Sequence, residues 1–221
     1  MSLVDVNFLT LAPLTGHTLY QPIRTEASAS TSAEDDSQTP SPAYYQKYMK
    51  RYELLIEYKN LRNPKHSPTG LYILPAVSNL YEWHAVLFIH RGYYKEGVFK
   101  FTISIPQTYP SHPPTIRFIT DMFHPLISRD GTFDIRPQFP EWRPRKDWLS
   151  HVLHYVKNSF REGVIAGLDE RTVFARLASQ CAQLSASEPI LFDQDDGSEI
   201  KFSPLSDAQF EELRNSILSN A

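Results

Sequence analysis

Hydrophobic residues between positions 42 and 61 recur at three- and four-residue spacing, which predicts a helix with one apolar face. That face consists of Tyr45, Tyr48, Met49, Tyr52, Leu55 and Ile56. Ser41 and Pro42 are good residues for opening a helix. The segment NPKHSPTG ends it, so we predict a first helix that runs to about Leu61.

Four apolar segments follow, and their β-branched and aromatic composition predicts strands: GLYILP, WHAVLFIH, VFKFTISIP and TIRFIT. Their short connections favour an antiparallel meander. In the third segment apolar and polar residues alternate, which predicts one buried face and one outward face. The predicted buried set is Phe99, Phe101, Ile103 and Ile105, and the outward set is Lys100, Thr102 and Ser104.

The proline-rich region from Tyr109 to Trp148 is predicted to be a long ordered loop, and loops of this length are usually functional. Three helices follow: DWLSHVLHYVKNSF, DERTVFARLASQCAQL and DAQFEELRNSIL, the last with Asp207 as its cap. The apolar faces predicted for the first two are Trp148, Val152, Tyr155 and Val156, and then Val173, Phe174, Leu177, Cys181 and Leu184. One helix, a run of strands, a loop and further helices indicate an α+β fold.

Composition narrows the function classes. The net charge of −3 argues against a broad nucleic-acid surface, and the single cysteine, Cys181, excludes an internal disulfide. The eight histidines show no metal-ligand spacing, so we expect no metal and no cofactor. No apolar run suits a membrane span, and the start lacks a basic secretory signal, so we expect a cytoplasmic protein without membrane insertion. Residues 1–42, polar and acidic, are predicted to be a disordered tail.

The segment YKEGVFKFTISIPQTYPSHPPTIRFITDMFHPLISRDG resembles the ubiquitin-conjugating fold. The matching motifs, in the order that the family has, are Pro106, Tyr109-Pro110, Pro113-Pro114, His124-Pro125-Leu126 and Trp142-Arg143-Pro144. Each motif alone is weak, but their order and spacing together are specific. The resemblance implies a domain over residues 43–185 with an N-terminal helix, a four-stranded antiparallel meander, a long loop and C-terminal helices, followed by an extension over residues 186–221.

Two positions depart from the active members of that family. The resemblance implies a cysteine three residues after Gly131 and an asparagine after His-Pro, where this chain has Asp134 and Leu126. The cysteine would carry ubiquitin as a thioester, and a carboxylate would give an anhydride that water destroys. Cys181 lies some fifty residues further on, on a predicted apolar stripe, and is interpreted as a packing residue. We therefore expect a protein that is not an enzyme.

Among inactive variants of the fold, the chain resembles the Fused Toes (AKT-interacting protein) family through LFIHRGYYKEGVFKFTISIP, FHPLISRDGTFDIRPQFPEWR, LFDQ and FSP. The resemblance covers about residues 44–218. It implies an adaptor subunit that binds a Hook-type coiled-coil protein and an FHIP-type partner, in a complex that links endosomal cargo to dynein. It also implies association with early endosomes through those partners.

Two surfaces are candidates for partner binding. Trp142, Arg143 and Arg145 lie in a basic stretch of the loop that suits an acidic partner, although such a pattern is more often a plain solvated face. The final helix carries an apolar stripe of Phe210, Leu213, Ile217 and Leu218. That stripe either packs on its own domain or receives a coiled coil. The alternative function is a ubiquitin-binding variant that assists an active conjugating enzyme.

Overall fold

The computed structural model describes residues 5–6, 42–161 and 171–219. In chain order the elements are β1 (Asp5–Val6), α1 (Pro42–Leu61), β2 (Leu71–Pro75), β3 (Glu82–Phe88), β4 (Val98–Ser104), β5 (Thr115–Phe118), α2 (Leu149–Ser159), α3 (Arg171–Ser185), α4 (Glu188–Leu191), β6 (Phe202–Ser203) and α5 (Asp207–Ser219). No helix within these ranges is long and apolar enough to cross a membrane.

Strands β2 to β5 form one sheet in sequence order, and every neighbouring pair is antiparallel. The register places Trp83 opposite Ile103 and Phe101 opposite Phe118, so apolar residues of successive strands share one face. The predicted α+β fold and the four-stranded meander are thereby confirmed.

The main core lies between this sheet face and α2. Trp83, Phe99 and Phe101 are fully buried there, and Phe160, just after α2, stacks on Phe99 with ring centroids 5.7 Å apart. The buried residues of α2 are Leu149, Val152, Leu153, Val156 and Ser159. Three- and four-residue spacing along α2 therefore aims a continuous apolar face at the sheet.

Helix α1 has the predicted bounds, but its predicted apolar face is not the buried one. Of that face, the described side chains Tyr48, Met49, Tyr52, Leu55 and Ile56 are all exposed. The helix instead buries Leu54 and Leu61 against the core, with Tyr58 half-buried beside Trp83 at a ring distance of 5.6 Å. The physical reason is that α1 meets the domain along a narrow stripe, and periodicity does not indicate which of two apolar stripes faces inward.

Helix α3 shows a similar shift of face. Val173, Leu177 and Leu184 were predicted to be buried and are exposed, whereas Phe174, Ala178 and Ala182 are buried. Small alanines allow α3 to approach the domain closely, and the larger residues that dominate the sequence pattern point outward. Of the predicted face, only Phe174 is buried, and Cys181 is half-buried.

The second face of the sheet is covered by the C-terminal extension. Val86 and Val98 form a second small core with Leu191 and Phe202, on the side away from α2. Lys100, predicted to face outward, is therefore only 3% exposed. Its Nζ lies 2.5 Å from Asp196 Oδ2, donates to the carbonyl of Leu191, and sits 5.2 Å from the ring centroid of Phe202.

The predicted N-terminal tail lies outside the described residues except for β1. Asp5 pairs with Ser203 and Val6 with Phe202, in a two-residue antiparallel contact with β6. The predicted disorder of residues 1–42 stays a prediction. The remaining domain boundaries stay predictions.

Candidate functional site

Asp134 and Leu126, the two residues that the resemblance places at the catalytic positions of active conjugating enzymes, are neighbours in space. The backbone N–H of Asp134 donates to the carbonyl of Leu126 at 2.8 Å. Nearby, Ile127 and Phe133 form a β-bridge, so the loop folds back on itself as a short hairpin. Gly131 lies in this turn at φ +85°, and a Cβ there would meet the carbonyl oxygen of Phe118 at 2.3 Å. Glycine is therefore required for the hairpin to approach β5.

The Asp134 carboxylate is held by Arg136. Its Oδ1 accepts from the backbone N–H and Nε of Arg136 at 3.0 and 2.8 Å, and its Oδ2 accepts from Nη2 at 2.8 Å. These hydrogen bonds lower the pKa of Asp134 below its ordinary value. The side chain at this position is thus an ionised carboxylate bound bidentately by a neighbouring guanidinium.

His124 is a buried, neutral residue that shapes the loop. Its Nδ1 accepts the N–H of Leu126 at 3.1 Å, so the proton of the neutral ring sits on Nε2, which lies 3.2 Å from the carbonyl of Ser159. Burial lowers the pKa of His124 to about 4, even though the bond to Ser159 opposes that shift. With both ring nitrogens occupied, the imidazole has no position from which to move a proton to a ligand.

Cys181 lies closer to this loop than its place in the sequence indicates. Its Sγ, on α3, accepts the backbone N–H of Phe123 at 3.2 Å. Phe123 directly precedes His124, so the thiol contacts the edge of the loop while remaining half-buried. The prediction that Cys181 lies on the inward side of α3 agrees with this contact, although Leu177 and Leu184 of the same predicted stripe are exposed.

Trp142 fastens the long loop to the domain. Its Nε1 donates to the carbonyl of Pro110 at 2.7 Å, and its ring lies 6.3 Å from that of Tyr109. Tyr109 in turn donates to Glu57 Oε1 at 2.6 Å, and burial raises the pKa of Glu57. Trp142 is therefore a half-buried packing residue. Trp148, also expected to pack, is 37% exposed at the start of α2.

The two arginines beside Trp142 have different environments. Arg143 forms an ion pair with Asp147, with Nη2 2.7 Å from Oδ1, whereas Arg145 is exposed and adopts a left-handed backbone with φ 64°. Together with Lys146, His151 and His154, Arg143 lines a groove along α2 that the sequence analysis did not identify. The signal that could have found it is the spacing of His151 and His154 on the polar side of the predicted helix.

The apolar stripe of α5 is not packed on the domain. Within the part of the chain that the structure describes, no residue of this helix is buried. Leu213, Ile217 and Leu218 are 40%, 67% and 65% exposed, and Phe210 is half-buried. The stripe lies on α5 and the two arginines lie in the loop before α2, so the predicted partner-binding residues come from two different parts of the fold. Across the described ranges, no group of His, Cys, Asp and Glu side chains could hold a metal ion.

Comparison with known proteins agrees with this architecture. The family model for ubiquitin-conjugating enzyme matches residues 53–163. AKT-interacting protein of Danio rerio is 32% identical over 208 residues, which cover 87% of this chain and 70% of that protein. Protein AKTIP homolog of Nematostella vectensis is 30% identical over 188 residues, and Protein crossbronx homolog of Anopheles gambiae is 34% identical over 128.

The alignments leave part of the last two relatives unmatched. They cover 80% of this chain and 63% of the Nematostella protein, and 57% of this chain and 53% of the Anopheles protein. The match to the Danio protein extends far beyond the central domain. The chain therefore belongs to the Fused Toes family, which includes AKT-interacting protein and crossbronx, and its central domain is of the ubiquitin-conjugating type.

Proposed function

We propose that this chain is a non-catalytic adaptor subunit that binds a Hook-type coiled-coil protein and an FHIP-type partner, in a complex that links endosomal cargo to dynein. The observation that carries the proposal is the exposed stripe of α5. Phe210, Leu213 and Ile217 follow a three-four spacing, which is the seam spacing of helices that pack against one another. An apolar seam left open to water is typical of a binding surface.

The C-terminal extension supports this surface. Its first half is fixed to the sheet by Phe202 and by the Lys100–Asp196 ion pair, only a few residues before α5 begins at Asp207. The segment just before α5 is therefore fixed to the sheet, which reduces the conformational entropy that α5 loses when a partner binds. With 13 residues, α5 is about 20 Å long, enough for nearly two heptads of contact.

The loop supports the absence of conjugating activity. The ordinary enzymes use a thiolate at the position of Asp134, and a carboxylate cannot store acyl energy as a thioester. Arg136 further stabilises the ionised carboxylate of Asp134. Leu126 has no side-chain amide that could donate to an oxyanion. The relatives named AKT-interacting protein carry a name for binding, which agrees with a role in protein interaction.

Affinity purification tests the partner assignment. The tagged full chain, recovered from its native cells and analysed by mass spectrometry, should bring down Hook-type and FHIP-type proteins. The double variant Leu213→Glu/Ile217→Glu should reduce recovery of the Hook-type protein at least tenfold, because each buried leucine or isoleucine contributes about 1.5–3 kcal/mol. Leu184→Glu, at an exposed leucine on α3, is the matched control and should bind normally.

Different results would reject the adaptor function, the α5 surface and the absence of conjugating activity. Recovery of neither protein by the wild-type chain would reject the adaptor function, and equal loss in Leu184→Glu would reject α5 as the surface. Incubation with activating enzyme, ATP and ubiquitin should give no thiol-sensitive adduct. An adduct that disappears in Cys181→Ser would show that the chain is an enzyme.

A further inference from the structure

A groove of about 510 Å³ runs between the loop of residues 138–147 and the outward side of α2, and we call it the α2 groove. Its apolar walls are Phe139 and Tyr155, whose rings meet edge to face with centroids 6.1 Å apart. Phe139 is buried and Tyr155 is half-buried, so both rings are held by the core while their edges line the groove. The groove therefore combines an apolar seat with a fixed shape.

Asp147 is the only acidic side chain among the described residues that line the α2 groove, and Arg143 fully occupies it. The Asp147 side chain is 2% exposed and accepts from the Arg143 backbone N–H at 2.8 Å, from Nε at 3.1 Å and from Nη2 at 2.7 Å. The Asp147 carboxylate therefore neutralises the Arg143 guanidinium and fixes its position. Two of the five N–H donors of Arg143 are used in this fork, and the others remain for a ligand.

Further donors line the same groove. His151 Nδ1 accepts the N–H of Trp148 at 3.3 Å, which places the proton of the neutral ring on Nε2. Lys146 is exposed and makes no ion pair within the described part of the chain, and the Asn158 amide also lines the groove. The α2 groove therefore presents donors of positive or neutral charge around an apolar seat, with no free carboxylate to repel an anion.

We propose that the α2 groove binds an acidic, extended segment of a partner protein. One apolar side chain of that segment lies against Phe139 and Tyr155, and flanking carboxylates bind Arg143, Lys146 and His151. A prepositioned guanidinium suits a carboxylate because it binds bidentately at small entropic cost. A nucleic acid fits less well, because the groove lining holds two permanent cations, Arg143 and Lys146, and a phosphate backbone is bound through a broader row of cations.

This surface is separate from the α5 stripe and does not depend on the adaptor function proposed above. If the Hook-type protein fails to bind, binding of an acidic peptide to the α2 groove can still be measured. Conversely, loss of groove binding leaves the α5 stripe unchanged. The two proposals can therefore fail independently.

Fluorescence anisotropy with the full chain tests the groove, using a fluorescein-labelled peptide Glu-Glu-Phe-Glu-Glu as the probe. Lys146→Gln should weaken binding about fivefold, as expected for one exposed charge pair. Arg143→Lys keeps a cation beside Asp147 but loses the planar fork, and should weaken binding roughly tenfold. Lys95→Gln removes the same charge from an exposed lysine outside the groove and should bind as the wild type does.

Amide chemical-shift mapping with the same peptide locates the site, and the shifts should concentrate in residues 138–158. The peptide Glu-Glu-Ser-Glu-Glu, which lacks the aromatic anchor, should bind more weakly. The proposal is overturned by an absence of saturable binding, by shifts on another face, or by equal weakening in Lys146→Gln and Lys95→Gln. Equal affinity for the serine peptide, or tighter binding of an oligothymidylate to the same residues, would also overturn it.

Discussion

The buried ion pair between Lys100 and Asp196 should hold the C-terminal extension to the sheet. Asp196→Asn removes one charge and leaves the ammonium of Lys100, which is 3% exposed, without its partner. Breaking a buried pair on one side typically costs about 3–5 kcal/mol. The asparagine retains the oxygen that accepts the N–H of Ser198, so the local turn should persist. We therefore expect a loss of about 3–5 kcal/mol in the free energy of opening the extension.

Removing both charges separates the ion pair from other effects. Asp196 Oδ1 also accepts from Lys201 Nζ at 2.6 Å. In Lys100→Met/Asp196→Asn the cation left without this carboxylate is Lys201, whose side chain is 30% exposed and can be hydrated, so the stability should return to within about 1 kcal/mol of the wild type. Asp195→Asn makes the same change at an exposed neighbour and should alter stability by less than about 0.5 kcal/mol.

Native-state hydrogen exchange is the assay, because the extension can open without unfolding the main core. The amides to follow are those of the extension, such as Leu191, which donates to the carbonyl of Ser187 at 2.8 Å and belongs to the second small core. If Asp196→Asn lowers the free energy of opening the extension by less than about 1 kcal/mol, the Lys100–Asp196 ion pair does not hold the extension to the sheet. A double variant as unstable as Asp196→Asn alone would lead to the same conclusion.

Three other predictions concern the main domain. His124 has a folded pKa of about 4 against an ordinary value of 6.5, so the unfolded chain binds the proton first, and stability should fall as pH drops from about 6.5 to 4, by up to about 3 kcal/mol; denaturant titrations should show this slope, and His124→Gln should remove it. Gly131→Ala should lower stability more than Gly197→Ala, because both pay the left-handed backbone cost of about 1–2 kcal/mol but only the first also meets a carbonyl, and equal losses in thermal melts would contradict the hairpin contact. Tyr109→Phe should cost about 1–3 kcal/mol in the same melts, because it leaves the buried Glu57 carboxyl short of a donor, and an unchanged midpoint would contradict the contact.

The strands and helices could be predicted from the sequence because each has a strong local pattern. The alternation in β4 and the three-four spacing in α2 gave elements that the structure confirms. The pattern also indicated the buried face of β4, since Phe99, Phe101 and Ile103 are fully buried, but it did not indicate the buried faces of α1 and α3. Lys100 was placed outside because the strand alternates, yet a segment nearly a hundred residues later covers it. A covering layer contributed from far along the chain leaves no signal in the local period.

One of the two candidate surfaces could be predicted from the sequence and the other could not. The α5 stripe was predictable because all its residues lie on one helix. The α2 groove was not, because its shape depends on a loop that folds against α2 and on an arginine fixed by Asp147. Cys181 beside Phe123 is a further case, since 58 residues separate two groups that touch. Contacts of this kind arise from tertiary packing, which motif spacing does not encode.

We propose that α5 is the surface that receives a Hook-type coiled coil. Hydrogen–deuterium exchange on the full chain, alone and mixed with a purified Hook-type coiled coil, measures this directly. We expect protection that is strongest in residues 207–219, with the loop around Asp134 unchanged. Full occupancy of the complex with no added protection in α5, or protection confined to the loop around Asp134, would contradict it.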